Sequence, residues 1–262
     1  MHIDQQIKHQ IVAKKNATII AQNSLFTHCY IVKAGAVKTV YLNNRGDEKI
    51  MRFFLPGEVF GFEGILEGRN TCSAIALERS TLCKINYKKL YEFANEVPML
   101  QEWLLRSILQ ELHSMEVLTR WLSYTSAEER VISFLMELSE RQRLRSPHNG
   151  EFHLPMSRQD IANYLGLALE TVSRVLHRLQ RAGDLTVRNR TINLLQLDVL
   201  RERVATVETS SVPDLQLRSN SLVSPLHAPA FAKSLDSNPV LWALLKRGTM
   251  GQGSAHDLMK KL

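Results

Sequence analysis

The sequence predicts an α+β chain in three consecutive parts: a small antiparallel β-barrel or jelly roll, one long helix, and a winged helix-turn-helix. Three observations predict it. Glycines 35, 46 and 57 fall eleven residues apart, and six of the twelve glycines lie between 35 and 68; that is the turn spacing of an all-β barrel or sandwich. Leu104, Ile108, Leu112, Met115 and Leu122 follow at steps of 4, 4, 3 and 7, one apolar stripe of a helix of about 25 residues. Last, two short helical patterns separated by Gly166 are followed by a run that alternates like a hairpin.

Within the first part, residues 16 to 94 are β-rich. "CYIVKAGAVKTVYL" splits into two short runs around Gly35, and "EKIMRFFLPGEVFGFEGIL", "CSAIAL" and "STLCKINY" supply the remaining strands. The long helix starts near Pro98, where proline is tolerated because its missing N–H would be unsatisfied anyway. Its stripe serves either a helix packed on its own domain or a seam between two identical chains. The length and heptad-like spacing favour the seam.

"TSAEERVISFLMELSERQRLRS" is a further helix, with Ser126 as N-cap and Glu129 closing a capping box. The turn-rich "SPHNGEFHLP" ends it. Ser157 and Asp160 form the next capping box, ahead of "RQDIANYL". Gly166 breaks that helix, a second runs from Leu169 to Arg181, and Gly183 closes it. "DLTVRNRTINLLQL" then turns near Asn189. The resulting division is a barrel over 1–95, the long helix over 96–124, the winged helix-turn-helix over 125–207, and an extension over 208–262. The extension is rich in Ser, Pro and Asn and is expected to be disordered.

Bulk properties exclude several classes. No stretch approaches the roughly 18 apolar residues of a membrane span, and "MHIDQQIKHQIVAKK" lacks a secretory apolar region, so no membrane partner and a cytoplasmic location are expected. Cys29, Cys72 and Cys83 show no zinc spacing; buried thiols and no metal site are expected. Arg69, three residues from Cys72, would lower that thiol's pKa if it lay close enough to make a redox switch. No nucleophile elbow, phosphate loop, H-E-x-x-H or paired-carboxylate signature marks an enzyme. The net charge of +7 fits a nucleic-acid partner and also many ordinary soluble proteins.

The helix from Leu169 to Arg181 divides cleanly. Val172, Val175, Leu176 and Leu179 share one side; Glu170, Ser173, Arg174, His177, Arg178 and Arg181 share the other. In a helix-turn-helix the second helix enters the major groove and its first residues meet base edges. Arg174 suits guanine O6 and N7, Glu170 can accept from cytosine N4 or orient the arginine, and Ser173 suits several edges. Arg178, Arg181, Arg188 and Arg190 suit phosphates, which give affinity without sequence information.

"MSRQDIANYLGLALETVSRVLHRLQRAGDL" closely resembles the DNA-binding motif of the bacterial CRP/FNR regulators. "YIVKAGAVKTVYLNNRGDEKIMRFFLPGEVFGFEGIL" resembles their sensory, cyclic-nucleotide-binding-like barrel, and "AEERV" the helix after their dimerisation helix. The resemblance runs from about residue 16 to 207, and E-T-V-S-R is most similar to the FNR branch, which reads TTGAT-type half-sites in an inverted repeat. It implies a homodimer on double-stranded DNA, with Glu170, Ser173 and Arg174 as base readers and Ser157, Arg158 and Thr171 as phosphate contacts. It also implies RNA polymerase as a partner, through the hairpin carrying Asp47 and Glu48, a segment equally well read as a solvated turn.

The family pattern fails in two places. The nucleotide pocket needs Gly-Glu and Arg-Ser pairs, but Gly61-Phe62 and Cys72-Ser73 stand there, removing both charged contacts. The iron–sulphur cluster of the FNR branch needs a cysteine run ahead of the barrel; Cys83 matches only the inner position. The expectation is therefore no cofactor, no cyclic AMP and no cluster, with dimerisation independent of any of them; Met115 stands where cluster-bearing members place an acidic residue. The alternative is a regulator that binds DNA only with a haem, nucleotide or thiol-redox effector, with His28, His113 and His153 as candidate ligands. Ala168 stands where the family often has a capping hydroxyl.

Overall fold

The computed structural model describes residues 8–96, 98–143 and 151–208. The barrel consists of β1 (Lys8–Ala13), β2 (Thr18–Ile20), β3 (His28–Ala34), β4 (Val37–Leu42), β5 (Glu48–Phe54), β6 (Val59–Phe60), β7 (Ser73–Ala76) and β8 (Ser80–Asn86). They form two antiparallel four-stranded sheets, ordered β1-β8-β3-β6 and β2-β7-β4-β5. Gly35 turns β3 into β4 at φ 83°, and a Cβ there would lie 2.7 Å from the Arg79 carbonyl oxygen, so this turn admits only glycine.

Strand periodicity gives the barrel three apolar layers. Tyr30, Val32, Val37, Phe54, Phe60 and Leu82 fill the space between the sheets. On the outer side of the first sheet, Cys29, Ile31, Cys83 and Ile85 pack with Leu90, Ala94, Leu100 and Trp103. On the outer side of the second, Val40, Ile50, Phe53 and Leu55 join one continuous core with the C-terminal helices. β3 is buried on both faces because its odd and even residues serve different layers.

Two helices follow: α1 (Tyr87–Glu96) and α2 (Pro98–Tyr124). The first of these falls inside the part expected to be β-rich; among its described residues Leu90 and Ala94, one turn apart, are buried against the barrel, and Tyr87 meets the Phe26 ring. α2 spans about 40 Å at 1.5 Å per residue. The C-terminal part contains α3 (Ala127–Arg143), β9 (Glu151–His153), α4 (Arg158–Leu165), α5 (Leu169–Arg181), β10 (Leu185–Arg188), β11 (Thr191–Leu194) and α6 (Leu197–Glu208). The wing is a three-stranded sheet ordered β10-β11-β9. α6 closes the domain through Leu200 and was not anticipated as a helix. The extension beyond Glu208 lies outside the described residues.

Helix boundaries follow their caps. Ser126 and Glu129 exchange hydrogen bonds of 3.3 and 2.6 Å ahead of α3. Ser157 and Asp160 do the same for α4, and Gly166 ends that helix in the left-handed region at φ 63°. α5 begins at an extended Ala168 that makes no side-chain cap.

Candidate nucleic-acid interface

α5 lays Val172, Val175, Leu176 and Leu179 into the core and turns Glu170, Arg174, His177, Arg178 and Arg181 to solvent, with Ser173 and Thr171 half-buried between the two sides. Glu170 and Arg174, one turn apart, form no ion pair among the described residues, so both can turn toward a base edge. Arg188 projects from the wing beside Asn189, whose φ of 56° makes the turn. Of the base-reading candidates, the structure therefore leaves Glu170 and Arg174 exposed and Ser173 half-buried along the same side of α5.

The phosphate candidates divide. Arg158 at the start of α4 and Arg188 are exposed. Ser157 is exposed, but its hydroxyl donates to Asp160 Oδ2 at 2.6 Å and accepts from the Asp160 N–H at 3.0 Å. Arg178 pairs with Glu128 of α3, and Arg203 of α6 reaches Asp184 at 2.9 Å and Glu128 at 3.6 Å. This network braces the rear flank of α5, and Arg178 must leave Glu128 to meet a phosphate. Arg190 folds back to donate to the Pro155 carbonyl at 3.0 Å. Glu128 and Arg203 carry no local sequence signal, because their partners Arg178 and Asp184 lie far away in the chain.

The apolar stripe of α2 is partly used within the chain. Leu104 packs on the layer that holds Cys29 and Trp103, and Leu122 is half-buried. Ile108, Leu112 and Met115 are exposed, and Leu105 and Leu109 join them. At the β4–β5 turn, Asn43 Oδ1 accepts from the Arg45 and Asp47 N–H groups and Asn43 Nδ2 donates to Asp47 Oδ2 at 2.9 Å. Asp47 thus staples the turn, while the Glu48 side chain is exposed.

The barrel residues do not fit a cyclic phosphate. Phe62 packs on the Cys29 layer. The Glu63 carboxyl is pushed up by burial, only partly offset by bonds from the backbone N–H groups of Glu63 itself and Gly61. Arg52 is already paired with Glu111 of α2. Phe62 and Cys72 thus offer no charge to a phosphate, and the neighbouring half-buried Glu63 carboxyl offers one of the wrong sign.

Burial likewise pushes the Cys72 thiol up, more than its hydrogen bond with Thr71 lowers it, and Glu63 pushes the same way. Arg69 does not serve it: its guanidinium donates to the Asn23 carbonyl at 2.7 Å. The expected thiolate-stabilising arginine is thus corrected to a loop tether. Cys29, beside Cys83, is pushed up to about 12 by burial. His28 bonds Thr27, and His153 contacts Glu78 at 3.1 Å, whereas His113 is exposed on α2. No group of three or more potential metal ligands forms among the described residues.

Comparison with known proteins agrees with this geometry. A Crp-like helix-turn-helix domain model matches residues 129–203, and a cyclic nucleotide-binding domain model matches 10–96. The transcriptional activator protein Anr of Pseudomonas protegens is 36% identical over 193 residues, 74% of this chain and 79% of that protein. The chain belongs to the CRP/FNR family of transcription regulators. The fumarate and nitrate reduction regulatory protein of Salmonella typhi is 34% identical over 198 residues, covering 76% and 79% of the two chains. The solved structure of FixK2 from Bradyrhizobium japonicum superposes with a TM-score of 0.67 at 31% identity, over 75% of this chain and 96% of that one. This CRP/FNR regulator thus has the family's DNA-binding helix-turn-helix and is not an enzyme. Among the described residues, no helix is long and apolar enough to cross a membrane.

Proposed function

We propose that this regulator acts as a homodimer on an inverted repeat of TTGAT-type half-sites and needs neither cyclic AMP nor an iron–sulphur cluster to do so. The row of Glu170, Ser173 and Arg174 on the outer side of α5 carries the reading. Arg174 supplies the bidentate guanine contact, Glu170 a cytosine contact, and Ser173 a third edge. Ser157, Arg158, Thr171, Arg178 and Arg188 meet phosphates and fix the register.

The exposed α2 row of Leu105, Ile108, Leu109, Leu112 and Met115 is the surface for a second copy. Its steps of 3, 1, 3 and 3 follow a coiled-coil seam. Asp47 and Glu48 face solvent on the β4–β5 turn and are assigned to RNA polymerase. No cofactor is assigned, and Phe62 and the half-buried Glu63 carboxyl support that assignment for a cyclic nucleotide.

The test is a titration under air, at fixed salt, of a duplex holding TTGAT and ATCAA separated by four base pairs, against a scrambled duplex. Fixed salt matters because phosphate contacts dominate affinity. Tight, selective binding is expected from untreated protein; equal, weak binding to both duplexes would refute the effector-free reading. Sedimentation at micromolar concentration should give a dimer, and Leu112→Asp a monomer. A wild-type monomer would remove the seam.

A further inference from the structure

β5 is the edge strand of its sheet, and such an edge offers unpaired backbone groups. Here a side chain of the DNA-binding domain satisfies them. Asn163, on α4, accepts from the Ile50 N–H through Oδ1 at 2.7 Å and donates from Nδ2 to the Glu48 carbonyl at 2.7 Å. The carboxamide imitates one peptide group of a neighbouring strand. Both ends of α4 are gripped from the barrel as well. At its start, Lys38 of β4 pairs with Asp160 at 2.6 Å, both side chains less than a fifth exposed. At its end, the Lys49 ammonium donates to the Asn163 carbonyl and, at 3.2 Å, to the Tyr164 carbonyl, a cation placed on the last-turn carbonyls. Between these grips the Tyr164 ring meets Phe53 with centroids 5.1 Å apart.

Nothing in this contact covers the reading row, because the barrel holds α4 while Glu170 and Arg174 on α5 stay exposed. The contact therefore orients the reader and does not mask it. α5 packs directly on α4, so the angle at which α4 sits on β5 is passed to α5. Relative to the α2 stripe, that angle decides how far apart two reading helices lie in a dimer.

Resting on the DNA reading above, we propose that Asn163, with Lys38 and Lys49, is a positioning clamp that sets which half-site spacing the dimer accepts. Adding two base pairs between half-sites rotates one against the other by about 70° and moves it about 7 Å. A rigid clamp should reject that change and a loose one should tolerate it.

Two measurements on the full chain test this. In the first, wild type, Asn163→Ala and Lys49→Met are titrated with duplexes carrying four- and six-base-pair spacers. Wild type should prefer the shorter spacer by at least about tenfold, the equivalent of 1.4 kcal/mol, and both variants should narrow that ratio to within about threefold. An unchanged ratio overturns the clamp, even if the variants melt earlier, because a merely stabilising contact would not alter spacing preference. In the second, spin labels at Lys14→Cys and Gln180→Cys, both exposed, are measured with labelled chains diluted into unlabelled protein. The distance distribution should be narrow in the parent and broad with Asn163→Ala; equal widths overturn the proposal. If wild type cannot tell the inverted repeat from scrambled DNA, the DNA reading falls, and the spin-label distances still decide whether Asn163 orients the domain.

Discussion

The barrel and the DNA-binding domain place their charges in opposite settings. Around the barrel, Glu58, Glu63 and Glu111 are half-buried, and their partners are arginines and backbone amides of the same chain. On α5, Glu170 and Arg174 stand exposed with no ion pair between them among the described residues. A paired, buried charge serves the fold, whereas an exposed charge in an ordered row is available to a partner. Family models match both parts, but the two parts present their charged side chains differently.

The most damaging way to probe that contrast is to break a buried charge pair on the barrel side. Glu58 accepts from Arg141 Nε at 3.0 Å and Nη2 at 2.6 Å. In Glu58→Ala, Arg141 keeps Glu137 at 3.6 Å and the Phe53 carbonyl, a poor substitute. Removing one member of a buried pair costs about 3–5 kcal/mol; with those remaining partners, about 3 kcal/mol is expected. Thermal melting should fall by roughly 6–12 °C for a protein of this size. A loss of under 1 kcal/mol would mean that the junction is wetter than its burial indicates.

The matching change on the reader should leave stability alone and remove information. Arg174→Ala is expected to cost about 1–3 kcal/mol of binding to the inverted repeat, roughly 5- to 150-fold, and little on scrambled DNA. Equal losses on both duplexes would demote Arg174 to a phosphate contact. A melting shift of more than a few degrees would blur the distinction between the two regions.

Much of the reader was legible because its signals are local. Ser157 and Asp160 sit three apart, Gly166 follows the last buried leucine, and the apolar steps of α5 are complete within four turns; the helix spans Leu169–Arg181 as expected. α6 had an equivalent signal in Leu197, Leu200 and Val204, but it was hidden by the polar run "RER" between them. The α4 clamp left no trace, because Asn163 and Glu48 lie 115 residues apart. The α2 stripe was legible as a stripe, but its angular position was not. Leu104 faces the barrel while Leu105 faces solvent, and a one-residue rotation of that kind depends on tertiary packing.

Two carboxyls at and beside the barrel, Glu63 and Asp160, also predict opposite responses to acid. Burial raises the Glu63 carboxyl, so its contribution to stability is complete below its unfolded value of about 4.3 and is lost as pH rises through the higher folded value. For Asp160, burial would raise the carboxyl, but hydrogen bonds from Lys38 and Ser157 outweigh it and hold the group below the ordinary range. Its contribution is present above about pH 4 and is lost as pH falls through the folded value. Glu63→Gln should therefore raise thermal stability at pH 7, and Asp160→Asn should lower it, each by about 1 kcal/mol. Both differences should shrink toward pH 3.5. The same sign for both variants at pH 7 would break the contrast.

The smallest effect concerns where the reader begins. α3 and α4 each start with a serine that bonds the backbone three residues on, but α5 starts at Ala168 with no side-chain bond. Ala168 already has φ −74° and ψ 149°, the extended geometry an N-cap adopts, so Ala168→Ser introduces no strain. Its hydroxyl can accept from the Glu170 N–H, a first-turn donor that the helix itself cannot satisfy, or share the Thr171 N–H, which already reaches the Ala168 carbonyl at 3.1 Å. The gain should be about 1 kcal/mol, seen as a rise of about 2–4 °C in melting temperature. The affinity ratio between repeat and scrambled DNA should stay within about twofold, because Arg174, the proposed guanine contact, lies on a later turn. A gain in stability at constant selectivity would show that α5's fold and its readout are separable. If selectivity falls instead, the uncapped first turn must adjust when α5 enters the groove, and the missing hydroxyl would then serve function at a cost in stability.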